Sequence, residues 1–537
     1  MRQSGAERHW PLGLVILLGL LWAGGGYPNN ARLETSLDSN VGSAVVRLLK
    51  RLPRIWSLKR EAKKLAAGLR YYQDPIHTPD SLMIYAWLQE LCRTPHRRPG
   101  TAEGHRAENW VADRFREFGL EQVTLDPVPL TVWTAERWSL TVAGREIPSF
   151  FVVNSGFTGP EGVSANLVYV GTGRPEDFEK AEVAGKIVVA EVPFPKLPYG
   201  ALLKLSGAAY AFSDPDHSIR LSSSQYLNFV RQNFIGGTNA QTAPQGDVYW
   251  QAYRKGAKAI CLILRDQPSN SNTHYGPYDG IMKPMPALWI GKYDGIELRE
   301  AAKAGAGANL VLLGKTEPGV MHNVWGVLPG CSEELILVTS HHDSPFQGAV
   351  EDGAGTAQVL AQAWTWAKIP REKRPKTMVF VVDSGHFYGS LGAHSFAREH
   401  KELMKRARIL ITLEHLAGKQ VEEKDGDYAE TGRLAFTVMF SSPEPMVVAS
   451  IIKAFASRPA KNTAAIPYDF FGPAPTSDAA GYVLEAGVPV ISWIGCPYYL
   501  LDAHDTLDKI DRQELNPVAQ TVAELIGIYM MMPPSAH

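Results

Sequence analysis

Imidazoles and carboxylates gather at five places in the second half of this 537-residue chain. They are His341-His342-Asp343, Glu351-Asp352, Asp383 with His386, Glu414-His415, and Asp502-Ala503-His504-Asp505. Nitrogen and oxygen donors of these kinds suit zinc or a similar divalent ion. Such an ion lowers the pKa of a bound water and polarises a carbonyl, which is the chemistry of hydrolysis. Each cluster alone has a plainer reading. His341-His342 could be a turn, Glu351-Asp352 could favour a helix N-terminus through its dipole, and Glu414-His415 could be an ion pair. The elements around them argue against five coincidences.

Four of the clusters follow apolar runs of strand type. Residues 334–340 precede His341, 377–382 precede Asp383, 409–413 precede Glu414, and 488–493 precede the Asp502 cluster. Glu351-Asp352 opens a helix expected over about 353–367. Strands alternating with helices predict a mostly parallel, doubly wound sheet. Open α/β sheets bind ligands at the carboxyl ends of their strands, so one rim would collect all five clusters.

The first half reads differently. Residues 81–92 and 102–118 have helical patterning, joined by the turn His96-Arg97-Arg98-Pro99-Gly100-Thr101, with Gly119 at the helix stop. Between 130 and 315, short β-type runs at 165–171, 185–190, 257–264 and 286–290 are separated by turn residues. Residues 200–248 are polar and loop-like.

Composition sets outer limits. Apolar residues make up 45% and charged residues 20%, which describes a soluble globular protein with a large core. A net charge of −1 carries no nucleic-acid signature. The four cysteines, Cys92, Cys261, Cys331 and Cys496, form no C-x-x-C pair, which excludes an all-cysteine zinc site. At the N-terminus, Arg2 and Arg8 precede the apolar run Leu12 to Ala23 and then Gly24–Gly26. That order is expected of a signal peptide or an uncleaved signal anchor, and hence of an extracytoplasmic protein, secreted or membrane-associated. Residues 41–71 carry nine Lys/Arg against Glu61 alone, with apolar residues at helical spacing from Val45 to Trp56. Such a helix either lies on an anionic membrane surface or packs on the main body with a solvated basic face.

The order of motifs resembles the co-catalytic zinc exopeptidases, a family of secreted aminopeptidases and glutamate carboxypeptidases. The matching pieces are His341-His342-Asp343-Ser344, Gly348-Ala349-Val350-Glu351-Asp352-Gly353-Ala354-Gly355, His386-Phe387-Tyr388-Gly389-Ser390, Leu413-Glu414 and Leu501-Asp502-Ala503-His504-Asp505-Thr506, with Arg97-x-x-Gly100-Thr101 upstream. The middle segment resembles a protease-associated domain, most typically at Gly185-Lys186-Ile187. Together with the N-terminal readings, the resemblance implies five parts: a signal peptide or signal anchor (1–27), a basic amphipathic helical segment (28–75), a first part of the peptidase-like core (76–130), an inserted β-rich protease-associated-like domain (131–317) and a second part of the core (318–537).

It also implies a metal site with departures. One half-site of the family maps onto His341, Glu351 and Glu414, both acids being one methylene longer than usual. The other half-site maps onto Phe387 and Leu501, which cannot coordinate, and the general-base position onto His386. His386 or His504 could swing into the lost half-site, or His386 could be the base. Asp343 would orient His341. The expected protein is a metal-dependent hydrolase of peptide or related amide bonds, aminopeptidase-like, with one or two zinc ions and a peptide or amino-acid-derived substrate. The competing expectation is a non-catalytic scaffold that binds a partner. H-E-x-x-H and G-x-S-x-G are absent, so zincin and serine-hydrolase chemistry lack their residues.

Overall fold

A computed structural model describes residues 34–193, 203–204, 207–218, 247–470 and 472–534, with 34–50 described as backbone only. The leader-like run 1–27 and most of 200–248 lie outside the described residues.

Twelve strands matter for the site: β1 (Glu121–Val142), β2 (Val163–Tyr169), β3 (Ile187–Val192), β4 (Ala259–Leu264), β5 (Ala287–Ile290), β6 (Gly307–Leu328), β7 (Leu335–His341), β8 (Thr377–Asp383), β9 (Ala407–Glu414), β10 (Thr437–Ser441), β11 (Thr463–Pro467) and β12 (Val490–Gly495). They belong to one continuous sheet in which β6, β8, β7, β9, β12, β10 and β11 are successive neighbours. The centre is parallel: β7 pairs with β8 and β9, and β9 with β12. β6 and β10 join it antiparallel. The sheet is therefore the expected mixed, mostly parallel one. Every residue of β7 and of β12 is buried. This is why those stretches read as continuous apolar runs instead of alternating ones.

On the far side of β6 the sheet continues through β2, β3, β4 and β5. The link is a ribbon. β1 and β6, each 22 residues long, pair antiparallel from Glu121↔Val327 to Val142↔Ala308. β6 thus contacts the parallel centre at its end and β2 near its start.

Helices α1 (Glu34–Gly68), α2 (Ser81–Leu91), α3 (Ala102–Glu117), α4 (Gly355–Ala367), α5 (Leu391–Glu399), α6 (Pro445–Ser457), α7 (Ala479–Ala486) and α8 (Leu515–Met530) complete the frame. Asp80 and Thr101 cap α2 and α3 by accepting from the N–H groups of Met83 and Gly104. On α1, Leu52, Ile55, Leu58, Ala62 and Ala66 are buried, while Arg51, Arg54, Arg60, Lys63 and Lys64 face outward. Leu58, Ala62 and Ala66 share a core with Val447, Val448 and Ile451 of α6. These five apolar residues are covered by the protein itself, and the basic residues beside them face outward. No helix among the described residues is long and apolar enough to cross a membrane.

Candidate metal centre

The strand register brings the clusters together. His341 ends β7 opposite Asp383 at the end of β8, and Glu414 ends β9 opposite Ile494. Side chains alternate along a strand, so the two adjacent histidines diverge. His341 turns into the rim. His342 turns away, its Nε2 lying 3.2 Å from the carbonyl oxygen of His322.

Three imidazoles surround one carboxylate. His415 Nε2 lies 2.8 Å from Glu351 Oε2, and the Nε2 atoms of His341 and His386 each lie 3.6 Å from Glu351 Oε1. His341 and His386 stack, with ring centroids 4.2 Å apart and an interplanar angle of 5°. Two donor sets have ligand atoms within 4.8 Å of one another, His341/Glu351/His386 and His341/Glu414/His415. None of these six contributions comes from an exposed residue, His415 at 5% being the most accessible.

Their unused bonding capacity is telling. His341 Nε2, Glu351 Oε1, Glu414 Oε1 and both oxygens of Asp343 are buried without a hydrogen-bond partner. Buried polar atoms are ordinarily satisfied, and an isolated unsatisfied group costs about 1–3 kcal/mol. Several of them converging on one point, with imidazole and carboxylate chemistry, fit a divalent cation.

Orientation comes from a surrounding layer. His341 Nδ1 lies 3.1 Å from the carbonyl oxygen of Asp343 and 3.4 Å from its Oδ1. His386 Nδ1 lies 3.1 Å from Asp478 Oδ1, and His415 Nδ1 lies 2.9 Å from the carbonyl of Gly495. Ser477 donates to Glu414 Oε2. The Glu351 loop is held at its backbone: the N–H groups of Val350 and Glu351 donate to the two oxygens of Asp505 at 2.9 and 2.7 Å. Arg97 grips the same loop, donating to the carbonyls of His342 (2.7 Å), Gln347 (2.5 Å) and Gly348 (2.9 Å). Gly348 has φ +54°, and a Cβ there would stand 1.8 Å from Ser344 Oγ. Asp352 lies under the same imidazoles, its Oδ2 3.8 Å from His341 Nε2. It accepts from Ser340 Oγ at 2.5 Å and from the N–H groups of Gly355 and His415.

Residues from the ribbon side of the sheet roof this centre. The Tyr278 ring lies 5.0 Å from His386, and its carbonyl accepts from the N–H of Gly389 at 3.0 Å. Tyr275 donates its N–H to the Leu501 carbonyl at 2.8 Å and meets Phe387 edge-on at 5.4 Å. Gly280, at φ +66°, passes so close to Tyr388 that a Cβ would meet its carbonyl oxygen at 2.9 Å. Phe387 and Leu501 therefore pack under the roof, as their side chains require.

One expectation is corrected. His504 is not brought into the cluster. Its Nδ1 lies 2.6 Å from Asp502 Oδ1, its ring sits 5.4 Å from Tyr428, and its side chain is 42% exposed. Asp502 lies two residues away and captures it locally, while Thr273 donates to the same oxygen from the roof. His415 stands at the cluster instead. Its positive φ of 55° turns the ring back under the strand end. The sequence placed His415 beside Glu414 but gave no sign of that turn. Asp478, which orients His386 from the start of α7, belongs to no motif and was not anticipated.

Burial and charge compete here. Burial pushes Glu351 upward, but His415, and then His386 and His341, hold it at about 2. Burial pushes His415 downward, and Glu351 overrides it, raising the imidazole to about 10. Burial, aided by Asp478, lifts Glu414 to about 7. These directions predict the stability of the metal-free chain. The Glu351 contribution is present above its ordinary value of 4.5 and is lost as pH falls through about 2. The His415 contribution is full below 6.5 and is lost as pH rises through about 10. Chelator-treated protein should therefore show a falling melting temperature on titration from pH 6.5 to 10. A flat profile there would contradict the Glu351–His415 pairing.

Residues 323–526 match the profile of peptidase family M28. Human carboxypeptidase Q is 24% identical over 321 residues, covering 57% of this chain and 58% of that protein. The chain thus spans little more than half the length of that curated relative. Among solved structures, a zinc aminopeptidase from Bacillus subtilis superposes with a TM-score of 0.59 at 19% identity, over 84% of this chain and 95% of that one. A peptidase M28 precursor from Shewanella amazonensis SB2B superposes with a TM-score of 0.61 at 19% identity, over 90% and 96%. At such identities the superpositions speak for the fold. The family match, the motif order and the strand-end cluster agree in likening residues 323–526 to peptidase family M28, on the fold seen in zinc aminopeptidases.

Proposed function

We propose that the chain is a zinc-dependent hydrolase of peptide or related amide bonds, aminopeptidase-like, acting outside the cytoplasm. The observation that carries this is the set of unpartnered buried donors on His341, Glu351 and Glu414 beside two further imidazoles. A site decayed to a scaffold has no reason to keep them, since each costs stability when empty. We assign His341, Glu351 and Glu414 as metal ligands, with His415 able to supply nitrogen where Phe387 and Leu501 cannot. Zinc bound there would supply a Lewis acid and an acidified water.

The chain's own residues do the rest. His386 is the best-placed proton acceptor. Asp478 fixes its Nδ1, leaving Nε2 directed at Glu351 and the cluster. Asp343 holds His341 in orientation. Tyr278 and Phe387 keep water from the far side of His386, which strengthens electrostatic contacts inside. The roof, read as part of an inserted protease-associated-like domain at 131–317, would have to lift for a peptide to enter. Any contact with an anionic membrane surface would run through the basic residues of α1 from Arg51 on, and would be electrostatic there because Leu52, Ile55, Leu58, Ala62 and Ala66 are buried.

The test is turnover of aminoacyl anilides and dipeptides by zinc-loaded protein, compared with His386→Ala and Phe387→Ala. His386→Ala is expected to lower kcat by about two orders of magnitude, as loss of a general base does, and Phe387→Ala by less than about tenfold. Absence of turnover on any peptide or amide, with zinc bound, would favour the scaffold reading. Equal losses in the two variants would remove His386 from the proton-transfer role.

A further inference from the structure

A second cluster lies outside the proposed active site, where α3 crosses β6. His105 and Glu108 stand one turn apart on α3, and His322 faces them from β6. Glu108 Oε2 lies 2.7 Å from His105 Nδ1 and 2.7 Å from His322 Nδ1. Its Oε1 accepts the backbone N–H of His322 at 3.0 Å. The carboxylate is thus aimed and fixed, and it is buried to 1% exposure. The two imidazoles are 39% and 26% exposed, which leaves an approach from solvent.

We propose that His105, Glu108 and His322 form a second, structural divalent-metal site of the zinc class, clamping α3 to the ribbon. Two imidazoles and a carboxylate with ligand atoms within 4.8 Å of one another are a complete three-donor set. Tetrahedral zinc separates neighbouring nitrogen and oxygen ligands by roughly 3.3 Å, from bond lengths of about 2.0–2.2 Å. The present 2.7 Å contacts need to open by only about half an ångström to admit it. Binding replaces the two N–H···O contacts by two N–metal bonds and one O–metal bond, and any proton held by the trio leaves to solvent. Water completes the coordination on the exposed side. The carbonyl of His322 lies 3.2 Å from Nε2 of His342, the neighbour of His341, so the clamp would also stiffen the rim that carries the first site.

The experiment is zinc stoichiometry. Full-length protein is stripped with chelator, reloaded with zinc, dialysed and measured by elemental mass spectrometry. The same is done for Glu108→Gln, His322→Ala, His341→Ala and the His341→Ala/His322→Ala pair. Glu108→Gln and His322→Ala are expected to lose about one equivalent relative to the unaltered chain, and His341→Ala to keep an equivalent that disappears when His322→Ala is added. The same zinc content in Glu108→Gln, His322→Ala and the unaltered chain would overturn the second site while leaving the first intact. Should His322→Ala misfold, His105→Ala decides. It sits on the half-exposed face of α3 and leaves the backbone contact of Glu108 in place, so unchanged stoichiometry there also overturns the proposal.

Discussion

His341→Ala protein is expected to retain at most about a tenth of the zinc held at the strand-end centre, with turnover lost in proportion. Both candidate donor sets at this rim contain His341, so its removal takes a nitrogen from each. Its sequence neighbour cannot substitute. His342 sits on the opposite face of the strand, tied to the His322 carbonyl. Changing even an outer partner of a metal ligand typically costs tenfold to a hundredfold in affinity, and loss of a ligand costs at least as much. The measurement is zinc bound after dialysis against a fixed free-zinc buffer, with circular dichroism to confirm folding. It is best made in a His322→Ala background, so that only one site is counted. A folded variant with unchanged zinc would remove His341 from the ligand set.

Glu351→Gln should have the larger effect on activity. The substitution keeps volume and shape but removes the negative charge that three imidazoles face at 2.8, 3.6 and 3.6 Å. Metal and general-base chemistry both draw on that charge. Stabilisation of several kcal/mol in the transition state is at stake, so kcat/KM should fall by about three orders of magnitude. The variant should also be less stable. Breaking a buried ion pair by removing one partner typically costs about 3–5 kcal/mol, and His415 would be left without its anion. Retention of more than about a tenth of the activity would show that Glu351 is peripheral. A melting temperature equal to that of the unaltered metal-free chain would show that its pairing with His415 is weak.

The sequence carried much of this centre because its signals are local. β7, β8 and β9 are apolar runs ended by polar clusters and β12 is a further apolar run, and the structure closes them within two residues of their expected limits. Parallel pairing then places His341, Asp383 and Glu414 on one rim without further information. What remained hidden depends on geometry that residue order does not encode. The inward turn of His415 rests on a positive φ at a non-glycine residue, which composition does not announce. The part played by Asp478 rests on a contact across 92 residues with His386. His504 misled for the converse reason. Its motif position suggested the cluster, while the short-range pull of Asp502 directs it elsewhere. The His105–Glu108–His322 trio was invisible because it joins a helix to a strand 214 residues away.

The β1–β6 ribbon bears on how the molecule opens and breaks. Most multi-part chains come apart at exposed linkers, where few hydrogen bonds cross and proteases cut first. Here the two ends of the sheet share 22-residue strands, so the ribbon itself offers no cheap cleavage point. Amides along Thr124–Thr134 and Lys315–Trp325 should exchange with deuterium together and among the slowest in the chain, as one cooperative unit. Local opening of the roof over His386 would then have to hinge beyond the ribbon, in the Thr273–Lys283 segment itself, and digestion should nick that segment before it separates the halves.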